Sequence, residues 1–200
     1  MQELTFVSKT GAAIESVFDD LAKLRIEVFR AYPYLYEGSI AYEKEYLKVY
    51  SCSEKAFLFA VYDGANMVGA TTCIPLIDET DDVKEPFIKA NLVLENIFYF
   101  GESILLPVYR GMGFGHRFFD EREAHAKSFE ETKFTCFCSV LRPENHPFKP
   151  AAYKPLDDFW MKRGYQKAEN LKSIFDWQDI NETISTKKEM AYWIRELDNQ

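Results

Sequence analysis

The sequence predicts an α/β fold built on a mixed sheet, and three observations carry that reading. Short apolar segments alternate along the chain with longer segments of helical period. One short segment returns on itself through Asp63-Gly64 as a hairpin, which an all-parallel sheet does not contain. A glycine-rich loop joins a long apolar strand to a helix in mid-chain.

The elements follow in order. Leu4–Val7 reads as a short strand. Ile14, Val17, Phe18, Leu21, Leu24, Val28 and Phe29 recur at helical spacing, and Pro33 ends that helix near Tyr32. A second helix is expected over Tyr42–Tyr50. Phe57–Tyr62 and Met67–Ile74 form the hairpin. Asp78–Glu85 reads as a solvated acidic loop and Phe87–Leu94 as a short helix. Ile97–Leu106 is a long buried strand, followed by the glycine loop and a helix. That helix has Phe114, Phe118, Phe119, Ala126 and Phe129 inward, with Asp120, Glu121, Arg122 and Glu123 outward. Phe134–Leu141 is a strand, Asp157–Arg163 a short helix ended by Gly164, and Ser173–Trp177 a last strand. Met190, Trp193, Ile194 and Leu197 then predict a closing amphipathic helix over 186–198, an appendage to a single domain spanning 1–200.

Composition narrows the partners. No apolar run approaches the ~20 residues of a membrane span, and the first residues lack a basic stretch leading into an apolar one. A cytoplasmic protein without a membrane partner is expected. The net charge of -8 argues against a nucleic-acid surface. It leans toward a cationic or neutral substrate, though acidity for solubility reads the same way. Cys52, Cys73, Cys136 and Cys138 show no metal-ligand or redox spacing, and no metal is expected.

Gly111, Gly113 and Gly115 lie where strand gives way to helix. Glycine lets backbone approach a ligand, and free amides at a helix start attract an anion, so a diphosphate suits the place. Arg110, His116 and Arg117 add donors. Plain turn glycines are the other reading. A dinucleotide site expects G-x-G-x-x-G after the first strand of a βαβ unit, and a P-loop expects Gly-Lys-Ser/Thr; neither is present.

Arg110-Gly-Met-Gly113-Phe-Gly115 resembles the R-x-x-G-x-G/A signature of the GNAT superfamily of N-acetyltransferases. Leu105-Leu-Pro107-Val-Tyr-Arg110 looks like that family's approach along its fourth strand, and Phe159-Trp-Met-Lys-Arg-Gly164-Tyr165 is similar to its later F-Y-x-x-x-G-F helix end. The resemblance implies a mostly antiparallel sheet of six or seven strands, splayed between the fourth and fifth. It implies acetyl-CoA as cosubstrate, its diphosphate on the amides of Arg110, Gly111, Met112, Gly113, Phe114 and Gly115 with His116 at the helix start. It implies pantetheine pairing near Leu105 and Leu106, with help from Asn145, which as a loop-capping residue reads equally well.

The implied reaction moves an acetyl group to a primary amine of a small molecule or peptide, with a non-catalytic acyl-CoA-binding module as the alternative. Such an amine has a pKa of about 10.4, so a base must take its proton. Glu102 is the lone acid of its apolar strand and is the candidate base; a structural Glu paired with an Arg is the other reading. Counting back from the glycines puts the family's base nearer Tyr99, which a bulge would reconcile. Trp160 stands where the family carries an acidic Tyr, leaving Tyr153 as a substitute. Tyr34, Tyr36 and Arg142 are the candidate acceptor walls, the tyrosines serving equally as core plugs. Monomer and homodimer both remain open.

Overall fold

The computed structural model describes residues 3–197. Seven strands form one sheet in the order β1-β2-β3-β4-β5-β7-β6. Strands β1 (Leu4–Thr10), β2 (Phe57–Asp63), β3 (Asn66–Pro75) and β4 (Ile97–Leu105) are successive antiparallel neighbours. Strand β5 (Phe134–Val140) runs parallel to β4. Strand β7 (Thr186–Glu196) lies antiparallel between β5 and β6 (Gln166–Trp177). The mixed, mostly antiparallel sheet expected from the sequence is present.

Helices cover both faces. A 3-10 turn at Gly11–Val17 leads into α1 (Phe18–Phe29), and α2 (Ile40–Cys52) follows, its Ser39 hydroxyl accepting from the Tyr42 amide at 3.3 Å. With α3 (Asp81–Lys89) they close a core around Leu21, Leu47, Tyr50, Phe87 and Tyr99. On the opposite face α4 (Phe114–Lys127) buries Phe114, Phe118 and Phe119 against Phe59, Phe98 and Phe100, and α5 (Asp157–Lys162) adds Phe159 and Trp160. A sheet covered twice explains why β3 is buried continuously from Met67 to Pro75 instead of alternating.

Three expectations are corrected. The closing helix over 186–198 is strand β7 (residue 198 lies outside the described residues). Met190–Trp193 are consecutive buried residues sandwiched between two strands, and a strand buried on both faces carries an apolar run that fits a helical template equally well. The acidic loop is the start of α3. Asp81 and Asp82 occupy its first turn, where the helix dipole favours them, while Val83 and Phe87 reach the core. On α4, Arg122 and Glu123 are buried, not outward. Arg122 lies between the rings of Phe100 and Phe119, 4.3 and 4.6 Å away, and Glu123 pairs with Arg163 and Arg195 at 2.9 and 3.0 Å.

Candidate active site

Strands β4 and β5 pair only at their beginnings, Ile97–Tyr99 against Phe134–Cys136, although β4 continues to Leu105 and β5 to Val140. Beyond Tyr99 the sheet opens. At the far end of this opening the Leu106 amide is held by the Val68 carbonyl at 2.9 Å, on the β3 side. Peptide groups alternate in direction along an antiparallel ladder, so Leu105 turns its amide and carbonyl toward the opening. Arg110 Nε reaches that carbonyl at 3.3 Å. Of the two leucines expected to pair with a ligand, Leu105 has the direction for it and Leu106 does not.

The glycine loop follows. Gly111 and Gly113 have φ of 79° and 87°, a region costly for other residues, and a Cβ on either would project into open space. Gly113 caps α4 with no side chain bonding to the first turn. Among the described residues, the amides of Gly111, Met112, Gly113, Phe114 and Gly115 find no backbone acceptor. The next two, His116 and Arg117, bond to Gly113 O at 3.1 and 3.2 Å. Unpaired amides at the positive end of a helix dipole fit an anion such as a diphosphate. The basic side chains are partly engaged: His116 packs edge-on against Phe159 at 5.0 Å, and Arg117 lies over Phe6 at 3.8 Å.

Midway along β4 lies a bulge. Thr71 pairs with Ser103 and Cys73 with Phe100, so Gly101 and Glu102 together oppose Thr72. The extra residue changes which face the side chains take. Before it, Tyr99 packs toward α1 and α2 while Phe98 and Phe100 face α4; after it, Ile104 packs toward α1 and α2. Glu102 thereby joins Tyr99 on the α1–α2 face. Glycine is needed at the bend, because a Cβ on Gly101 would run into the Tyr50 hydroxyl. The Glu102 carbonyl accepts from the Thr71 hydroxyl at 2.7 Å and from Arg122 Nη1 at 3.3 Å, which ties α4 to the bulge. Burial brings the Arg122 pKa down to about 10.

On that face opens a cavity of about 390 Å³. Tyr99, Gly101 and Glu102 of β4 and Cys138 of β5 line it at the place where the strands part. Glu102 is 1% exposed; the Thr72 hydroxyl donates to its Oε2, and the Arg25 guanidinium lies against its Oε1 as an ion pair without hydrogen-bond alignment. Arg25 also binds Glu43, and stacks over Tyr46 and Phe29 at 4.5 and 5.1 Å. Tyr34 and Tyr36 line the cavity, their phenols pushed well up, in each case mainly by burial. Behind it Glu79 is buried, one oxygen accepting from the Thr80 amide at 2.9 Å and the other unpartnered; burial raises its carboxyl to about 7.

Other candidates lie elsewhere. Arg142 does not line the cavity: its guanidinium grips Asp179 at 2.7 and 2.9 Å and donates to the carbonyls of Pro33 and Tyr34 at 2.7 Å each. Tyr153 packs edge-on against Tyr32 at 4.7 Å, also off the cavity, and burial raises its pKa. Asn145 is exposed in a turn. Trp160 fills core space between Phe137 and Trp193, 5.0 and 5.1 Å away, a packing role that leaves no hydroxyl there. Cys138 shares a hydrogen bond with the Tyr99 hydroxyl at 3.1 Å, and burial pushes its thiol to about 12, which disarms it as a nucleophile at neutral pH.

Sequence reasoning did not single out Arg25, Glu43 or Glu79. A signal existed for the first two. Arg25 sits four residues after Leu21 and four before Phe29 inside an apolar stripe, and Glu43 holds the same relation to Leu47. A charge inside such a stripe is either paired or functional. Glu79 gave none, embedded in an acidic stretch that reads as solvated.

By sequence, no protein-family model and no curated protein matches this chain. Solved structures do. Arabidopsis thaliana NAA60 in complex with acetyl-CoA aligns with a TM-score of 0.62 at 8% identity, over 98% of this chain and 100% of that one. The N-acetyltransferase of Staphylococcus aureus Mu50 gives 0.61 at 8%, and the acetyltransferase of Streptococcus agalactiae 2603 gives 0.61 at 12%, each over 98% and 100%. A putative acetyltransferase of the GNAT family from Desulfovibrio desulfuricans gives 0.56 at 8%, over 97% and 99%. Parted β4 and β5, a bulged β4 and an open glycine loop at α4 thus belong to a chain with the fold of the GNAT acetyltransferases.

Proposed function

We propose that this chain transfers an acetyl group from acetyl-CoA to a primary amine of a small molecule or protein. The observation that carries the reading is the run of unpaired amides from Gly111 to Gly115, placed beside the parted strands whose other side opens on Glu102. The residues fit the cosubstrate. Loop amides and the α4 terminus hold the diphosphate, with Arg110 beside them, and the Leu105 peptide groups hold the arm in strand-like fashion. Acetyl-CoA supplies an activated acyl carbon. Glu102 accepts one proton from the incoming ammonium and passes it to solvent; as the C–N bond forms and the C–S bond breaks, the amine's second proton goes to the departing sulfur. Thr72 and Arg25 hold the Glu102 carboxylate in place.

A non-catalytic acyl-CoA-binding module is favoured by one observation: Glu102 already has Arg25 as its counter-charge. Two measurements separate the readings. Saturating acetyl-CoA, about 100 times Kd, adds about 2.7 kcal/mol and raises the melting temperature by roughly 5–10 °C under either; no shift sinks both. Release of CoA with amines belongs to the enzyme alone, and there Glu102→Gln lowers kcat by about 100-fold or more while the thermal shift stays. An unchanged rate removes Glu102 from the chemistry.

A further inference from the structure

Strand β6 gives the cavity one of its walls. Over its last turns of pleat the side chains alternate: Leu171, Ser173, Phe175 and Trp177 are wholly or partly covered, while Lys172, Ile174 and Asp176 are exposed on the other face. The Ser173 hydroxyl donates to the Asp82 carbonyl of α3 at 2.6 Å, so the covered face is the one that α3 packs on. Phe175 and Trp177 line the cavity from that face. From Trp177 the rings continue inward. Trp177 packs on Tyr34 at 6.1 Å and Tyr34 on Phe29 at 4.6 Å, and Phe29 lies 5.1 Å from the Arg25 guanidinium, which meets Glu102. Phe175 enters no such ring pair among the described residues, and it is only half-buried.

The two ends of this wall differ. At the inner end Arg25 engages both Glu43 and Glu102, so it balances one charge of those two and leaves the other for an ammonium. Away from that end the wall offers rings, and a flat apolar group gains there from burial and from ring-to-ring geometry. A volume of about 390 Å³ admits a compact ligand. An extended chain is poorly served. Glu37 N bonds to Gln178 O at 2.8 Å and Ile180 N to Leu35 O at 2.6 Å, with a bridge between Tyr36 and Asp179. A peptide lying between the α1–α2 and β6–β7 connections would need those backbone groups, which are already bonded to each other.

We infer that the acceptor is a small primary amine with an apolar aromatic body, its nitrogen at Glu102 and its ring on the wall formed by Tyr34, Phe175 and Trp177. The inference rests on acetyl transfer to an amine as the activity of this site. It excludes the terminus of a polypeptide as the preferred acceptor.

The test measures CoA release by the full chain with acetyl-CoA and four acceptors. These are 2-phenylethylamine, ethylamine (the same amine without the ring), 1,4-diaminobutane and a hexapeptide with a free N-terminus. Expected is a kcat/KM for phenylethylamine about tenfold or more above those for ethylamine and the diamine, with the peptide poorest. In Phe175→Ala the phenylethylamine-to-ethylamine ratio falls by about threefold or more, chiefly through KM, whereas a merely structural role of Phe175 lowers both rates alike and leaves the ratio. Phe175→Leu, which keeps most of the bulk and loses the ring, moves the ratio in the same direction. Equal use of phenylethylamine and ethylamine, a preferred diamine or peptide, or a ratio unmoved in both variants overturns the acceptor assignment and leaves acetyl transfer standing. Bound acetyl-CoA without release to any amine overturns both.

Discussion

Glu79 shows what one buried group does to the whole. Its carboxyl titrates near 7 because burial penalises the charge and the Thr80 amide only partly compensates. A carboxyl whose pKa is raised on folding contributes stability below its unfolded value, near 4.5, and loses it as pH climbs through the folded value, near 7. Glu79→Gln keeps the acceptor for Thr80 and removes the titration. Urea unfolding should find it equal to the parent near pH 4.5 and more stable by about 3 kcal/mol at pH 8. A variant less stable than the parent at pH 8 would show that the ionised carboxylate has a partner inside the fold. Glu102 differs in its contacts, with Arg25 and Thr72 at its two oxygens, whereas Glu79 has a single backbone amide.

The β4 bulge and α4 act together. Gly101 makes room for the Tyr50 hydroxyl, the extra residue sends Glu102 to the cavity face, and Arg122 grips the Glu102 carbonyl from α4. Gly101→Ala forces Tyr50 and Thr72 apart, an overpacking that should cost about 1–3 kcal/mol in chemical unfolding and lower CoA release further than stability explains. A variant as stable and active as the parent would mean that the bend tolerates a side chain. A bulge leaves a weak trace in a sequence, because one residue is added to an alternation that a fully covered sheet has already blurred; Glu102 in an apolar strand was that trace. Counting back from the glycine motif points nearer Tyr99, and the ladder register shows the extra residue that brings Glu102 to the same face.

The domain is held across its full length by contacts no local pattern announces. Arg142, at the end of β5, joins Pro33 and Tyr34 after α1 to Asp179 after β6. Among the described residues, Lys188 Nζ at 3.4 Å is the other cation paired with Asp179. Arg142→Ala leaves a buried aspartate with that single distant partner and should cost about 3 kcal/mol, with a raised KM for the acceptor as Tyr34 loosens. A loss below 1 kcal/mol would show that the junction is carried by its backbone bonds alone. The sequence by itself determined the α/β class, the hairpin, and the glycine loop with its helix, because turn chemistry, capping and periodicity are local and leave their residues adjacent in the chain. Only the tertiary structure decided that residues 186–196 form a strand, that Arg142 is a clamp standing off the cavity, and that Arg25, Glu43 and Glu102 converge on one cavity while Glu79 is buried with its charge penalised. Those outcomes depend on which strand lies next to which and on what burial does to a charge, and both are settled between segments remote in sequence.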